Sequence, residues 1–111
     1  MIITLGRIVH YTLTEEEATQ INRRRTSGAS IAERIKRNTA DTSVWPLGAQ
    51  AHIGNEVSAG EVYPMVVTKI WFPGCVNGQV FLDGNDCFWA NSVQEGTGGH
   101  TWMWPPRTAE L

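Results

Sequence analysis

Hydrophobic and polar positions change their period twice along this chain, and the changes divide it. From Ile2 to Leu13 the strand-formers Ile8, Val9, Tyr11 and Leu13 predict extended β structure. Thr14-Glu15-Glu16-Glu17 then has the form of a capping box, Thr14 accepting from the Glu17 amide while the Glu17 side chain reaches back. Leu13 before the cap and Ala18 after it suit a hydrophobic staple. Three glutamates open the next segment, Arg23, Arg24 and Arg25 close it, and Gly28 follows. A helix over 15–26 is therefore predicted, its charges matched to the helix dipole and its end set by glycine. Ser30-Ile31-Ala32-Glu33 is a second capping box, with Ile31 and Ile35 on one face, and predicts a short second helix through Arg37.

After a polar stretch over 38–43, Trp45-Pro46 begins the remainder, and from Gln50 the period is that of extended chain. Val62 to Phe72 is an almost continuous apolar run, the pattern of a strand buried on both faces. Pro64 near its start limits pairing there to an edge or a bulge. Val76 to Leu82, Phe88 to Val93 and Thr101 to Trp104 follow as shorter strands. Pro73-Gly74, Asp83-Gly84-Asn85-Asp86 and the Gly96 to Gly99 stretch are the turns between them. The expected fold is α+β and mainly β: a small five-stranded barrel of the SH3 or OB type with two short N-terminal helices. It forms a single domain over 1–111, with strand 2–13, helical segment 14–37 and β core 45–107.

Length agrees, since 111 residues allow one hydrophobic core and no second domain. Five tryptophans (Trp45, Trp71, Trp89, Trp102 and Trp104) carry more apolar area than so small a barrel needs, which points to an interface and a homo-oligomer. Net charge is −2, yet six of the nine basic residues fall between Arg23 and Arg37. Beyond residue 38 only Lys69 and Arg107 are basic, which argues against a nucleic-acid-binding barrel. No apolar run approaches membrane-spanning length and the opening stretch is too short for a signal peptide, so a cytoplasmic protein is expected. Cys75 and Cys87 have no ligand spacing around them, so no metal or cofactor is expected.

Catalytic patterns are missing. His10, His52 and His100 lack metalloprotease spacing, and neither a nucleophile elbow nor a phosphate-binding glycine loop occurs. The expectation is a binding protein, with three constellations able to carry the binding. Arg23, Arg24 and Arg25 fan out by about 100° each on a helix. They read either as a solvated helix terminus or as an anion clamp, guanidinium forks matching phosphate oxygens. Asn85 and Asp86, beside Phe81, Phe88 and Trp89, read either as a hairpin turn over core aromatics or as groups that hydrogen-bond the edge of a stacked base. Trp102 and Trp104 alternate onto one side of a strand, and Pro105-Pro106 then hold Arg107 just beyond them. This is either core plus free tail or an aromatic shelf with a cation.

Gly6-Arg7-Ile8-Val9-His10-Tyr11, the stretch from Val76 to Asp86 and Trp102-Met103-Trp104-Pro105-Pro106-Arg107 carry a resemblance. Together with Ile21 to Thr26 and Ala49 to Val67, they resemble a family of short proteins encoded by tailed phages and prophages. That family commonly closes on Trp-His-Trp-Pro, where this chain has Met103. The resemblance implies a viral protein acting in the host cytoplasm. In size, architecture and arginine-plus-aromatic content the chain is similar to the phage Thoeris anti-defence sponges, which oligomerise and hold cyclic immune signals without cleaving them. That likeness implies a partner of cyclic nucleotide or cyclic ADP-ribose type. Arg23, Arg24, Arg25 or Arg107 would hold its phosphates, Phe81 or Trp89 would stack its base, and Asn85 and Asp86 would read its edge. The alternative, from another class, is a virion component such as a capsid decoration or head–tail protein.

Overall fold

Alternation in Ile-Val-His-Tyr-Thr makes β1 (Ile8–Thr12), whose Val9 and Tyr11 are wholly buried while Ile8 and His10 point outward. The structure, a computed structural model, describes residues 2–26 and 54–107. The remaining elements are α1 (Glu15–Thr26), β2 (Val62–Phe72), β3 (Cys75–Phe81), β4 (Cys87–Glu95) and β5 (Thr101–Met103). The strand expected from residue 2 begins only at Ile8. Before it the chain turns, with the Arg7 amide donating to the Thr4 carbonyl at 3.2 Å and Gly6 at φ 81°. The second helix expected through Arg37 lies outside the described residues, as does the start of the expected β core.

The five strands close into a barrel in the order β1-β2-β3-β4-β5. The first four pair antiparallel with their sequence neighbours, and β5 returns antiparallel to β1 through Tyr11↔Trp102. Among the described residues each strand has a neighbour on both sides, so none is a free edge strand. Among the described strands only β4 and β5 run parallel, over Gln94↔Thr101 and Glu95↔Trp102. Residues 96–100 join them, with the Gly96 amide donating to the Trp102 carbonyl at 2.9 Å. Ser92 adopts a left-handed φ of 52°, its amide held at 2.8 Å by the Asn77 side-chain oxygen. That same buried oxygen accepts from the Trp71 indole at 2.9 Å.

One face of each strand fills the barrel: Val9, Tyr11, Met65, Val67, Val76, Val80, Ala90, Val93 and Trp102. Trp102 satisfies its indole N–H on the Gly74 carbonyl at 2.9 Å, so its large ring is buried without a stranded donor. The long apolar run of β2 is not buried on both faces. A barrel has a single interior, and β2 gives it Met65 and Val67 while Val62, Pro64, Trp71 and Phe72 remain exposed. Pro64 is accommodated because pairing with β3 starts one residue later, at Met65↔Val80. Outside, two adjacent cross-strand rows result. One runs Ile8, Val66, Gln79, Trp89, and the next contains the pairs His10↔Pro64 and Phe81↔Cys87.

Helix α1 lies over the barrel end where β1 finishes and β4 begins. Both bonds of its capping box form: the Glu17 amide to Thr14 Oγ1 at 3.1 Å, and the Thr14 amide to Glu17 Oε1 at 3.0 Å. Leu13 and Ala18 are buried as a staple requires. Ala18, Ile21 and Arg25, at helical spacing, form its inward stripe. Asn22 grips the extended segment after residue 54, donating to the Val57 carbonyl at 2.7 Å and accepting from its amide at 2.9 Å.

Candidate functional site

The three arginines that end α1 have three different fates. Arg25 follows the inward stripe, and its side chain is only 3% exposed. Its guanidinium makes a two-pronged bond to Asp86, Nε to Oδ2 at 3.0 Å and Nη2 to Oδ1 at 2.8 Å, and also donates to the Asn55 carbonyl. Two glycines leave room for it. A Cβ on Gly54 would lie 2.8 Å from the guanidinium carbon and 2.5 Å from the Asp83 carbonyl, and one on Gly84 would lie 3.0 Å from Nη2. The Asp83-Gly84-Asn85-Asp86 turn is thus built around an arginine from the helix. Arg25 hydrogen bonding, aided by Arg24 and opposed by burial, holds the Asp86 carboxyl below the usual carboxylate range.

Arg24, half exposed, reaches the same Asp86 oxygen at 2.9 Å. Arg23 points to solvent beside Glu15, Glu16, Thr19 and Gln20, an acidic setting that competes with any anion. Asp86 is therefore a structural counter-ion to two of the arginines with which it was grouped as a ligand reader. Asn85 stands exposed at the turn, and Phe81 and Trp89 are 45% and 56% exposed on the outer sheet face.

A second cluster joins the helix to the start of β5. The buried Tyr11 hydroxyl donates to Glu17 Oε2 at 2.7 Å and lies 2.6 Å from His100 Nδ1, which is itself 2.8 Å from the same carboxylate oxygen. His100 Nε2 lies 3.0 Å from the Asn91 carbonyl. Burial pushes the Tyr11 phenol far above its ordinary value, reinforced by Glu17, so the phenol keeps its proton. Burial also pushes Glu17 upward, but hydrogen bonds from Tyr11, the Thr14 amide and His100 outweigh it and leave the carboxyl below its usual range. This is a tie between elements, with His100 held at a left-handed φ of 59°. The sequence signal for it was slight: Glu17, already used in the cap, has one oxygen to spare.

The third cluster is open to solvent. Trp104, just past β5, packs edge-on against Trp102 with ring centroids 5.4 Å apart. The Arg7 guanidinium lies 5.1 Å from the Trp104 ring centroid. Gly6, Arg7, Ile8, Trp104, Pro105 and Arg107 line a shallow cavity of about 650 Å³. Arg107 and the half-buried Trp104 thus share a hollow, and Arg7 is the member that sequence reasoning did not single out. It stands at the opposite end of the chain, and no spacing rule links positions brought together by β1–β5 pairing.

Among the described residues no group of three or more His, Cys, Asp or Glu side chains is placed to hold a metal ion. No helix among them is long and apolar enough to cross a membrane. Cys75 is buried and Cys87 exposed, both as free thiols. No family model, curated protein or solved structure matches the chain.

Proposed function

We propose that this protein is a non-catalytic binding module of phage origin that sequesters a cyclic nucleotide or cyclic ADP-ribose-type immune signal in the host cytoplasm. The observation that carries the reading is the hollow shared by Arg7, Trp104 and Arg107. Two guanidinium groups offer flat, permanently charged donors to phosphate oxygens, and an indole offers a plane for a ring. Arg24 and Arg25 bond Asp86, so the phosphate-binding role falls to Arg107, with Arg7 at the other side of the same hollow. Trp104 takes over stacking from Phe81 and Trp89. The cluster has no nucleophile beside a base, which favours holding a ligand over breaking it. We further infer a barrel of the SH3 type, because neighbouring strands follow chain order as a meander, whereas the OB type is a Greek key.

Thermal denaturation with a panel of cyclic mono-, di- and trinucleotides and cyclic ADP-ribose isomers tests this directly. A true ligand at a hundred times its dissociation constant adds about 2.7 kcal/mol of stability. It should be recovered chemically intact after heating, and a joint R7A/R107A substitution should abolish the shift without altering the circular dichroism spectrum. If no compound raises Tm, or if the double variant binds as well as the parent, the reading fails.

The exposed apolar outer face, with Trp89 and Phe81, favours one other reading, a virion component. Mass spectrometry of purified particles decides it: the protein is either stoichiometric in them or absent.

A further inference from the structure

The two outer rows of the sheet have a property that the ligand hollow does not explain. Ile8, Val62, Phe81 and Trp89 expose 55%, 41%, 45% and 56% of their surface, and Pro64 and Val66 lie between them. Hairpin registers bring these side chains onto one side of four consecutive strands, so they form a continuous patch. The outward positions that complete it are His10, Gln79, Cys87 and Asn91, so among the described residues no Asp, Glu, Lys or Arg interrupts it. At the Cys87 end the half-exposed Arg24 borders the patch and shares Asp86 with the buried Arg25.

From this we infer that the outer face of β1 to β4 is the contact surface of a two-fold symmetric dimer of this chain. Three observations select a second copy as the occupant. First, a two-fold contact sets the same patch against itself, so a net charge on the patch would repel its copy, and the outward positions named here carry none. Second, the named side chains and their polar border span on the order of 800 Å², the contribution of one partner to a stable interface. Third, the five described strands close on one another, so what they offer a partner is a face and not a free edge strand. A nucleic-acid or anionic-lipid partner would call for basic residues here, and the face carries none. The tryptophan and phenylalanine are the side chains that anchor such contacts, and they stand on the neighbouring strands β4 and β3 beside Gln79 and Cys87. Ile8 belongs both to this face and to the lining of the Trp104 hollow, which brings the interface to the margin of the proposed ligand site.

Sedimentation equilibrium of the full chain, reduced and without any nucleotide, tests the dimer independently of the ligand reading. The expected result is a mass twice the 12.3 kDa of the chain. W89E and F81E should each convert it to monomer while circular dichroism remains that of the parent, whereas the exposed T97E, off the face, should leave it dimeric. Because Cys87 lies within the patch, a short bis-maleimide should cross-link the parent through this thiol, and C87S should abolish the cross-link. A parent chain that sediments as monomer at about 100 µM overturns the inference. So does a dimer that persists in both W89E and F81E.

Discussion

Replacing Asp86 by Asn is the substitution on which the account of α1 depends most. It removes the charge that balances Arg25 and leaves the shape of the turn nearly unchanged. The Arg25 side chain is 3% exposed and that of Asp86 18%, so water cannot replace the lost carboxylate. Breaking a buried pair from one side costs about 3–5 kcal/mol. An asparagine oxygen can still accept one of the hydrogen bonds, which sets the expectation near the lower figure, about 3 kcal/mol. That is a large part of the roughly 5–15 kcal/mol that holds a small domain folded. With a urea slope of about 1.5 kcal/mol/M, the unfolding midpoint should fall by about 2 M. R24A is the internal control: its side chain is 51% exposed, and an exposed pair is worth only about 0–1 kcal/mol. Both variants and the parent should be unfolded in urea at one protein concentration, so that self-association contributes equally. If D86N lowers the midpoint no more than R24A does, the Arg25 fork is not what joins helix to hairpin.

Three further outcomes follow from the same contacts. Asp86 and Glu17 both have folded-state acidities shifted below the ordinary carboxylate values, so their contribution is complete above about pH 5 and is lost as pH falls through the depressed values. Urea midpoints should therefore decline from pH 5 to pH 3, and more shallowly in D86N. G54A should cost about 1–3 kcal/mol, because its methyl group meets the Asp83 carbonyl at 2.5 Å. G98A, with nothing within 4 Å, should be near neutral, and calorimetry compares the two. N77A should cost about 1–3 kcal/mol by stranding the Ser92 amide and the Trp71 indole. Amide exchange at Ser92 should accelerate with it, and protection unchanged from the parent would show that another acceptor serves that amide.

Much of the architecture is legible in the chain because it is local. The capping box at Thr14 and Glu17, the staple and the strand-and-turn alternation from Val62 onward each use residues within a few positions of one another, and all of them form. Even the inward turn of Arg25 is written in helical spacing, since it continues the stripe of Ala18 and Ile21. Its partner is not: Asp86 lies 61 residues away, and consecutive arginines look alike until one of them meets a carboxylate in a gap left by two glycines. The same holds for the two faces of β2, an apolar run in which only barrel closure decides which side chains meet the core. Arg7 beside Trp104, and Ile8 in one row with Trp89, likewise depend on which strands become neighbours. Short-range hydrogen bonds and periodicity determine the elements by themselves. Which charges cancel, and which aromatic rings stay exposed to a partner, is settled only when distant segments pack.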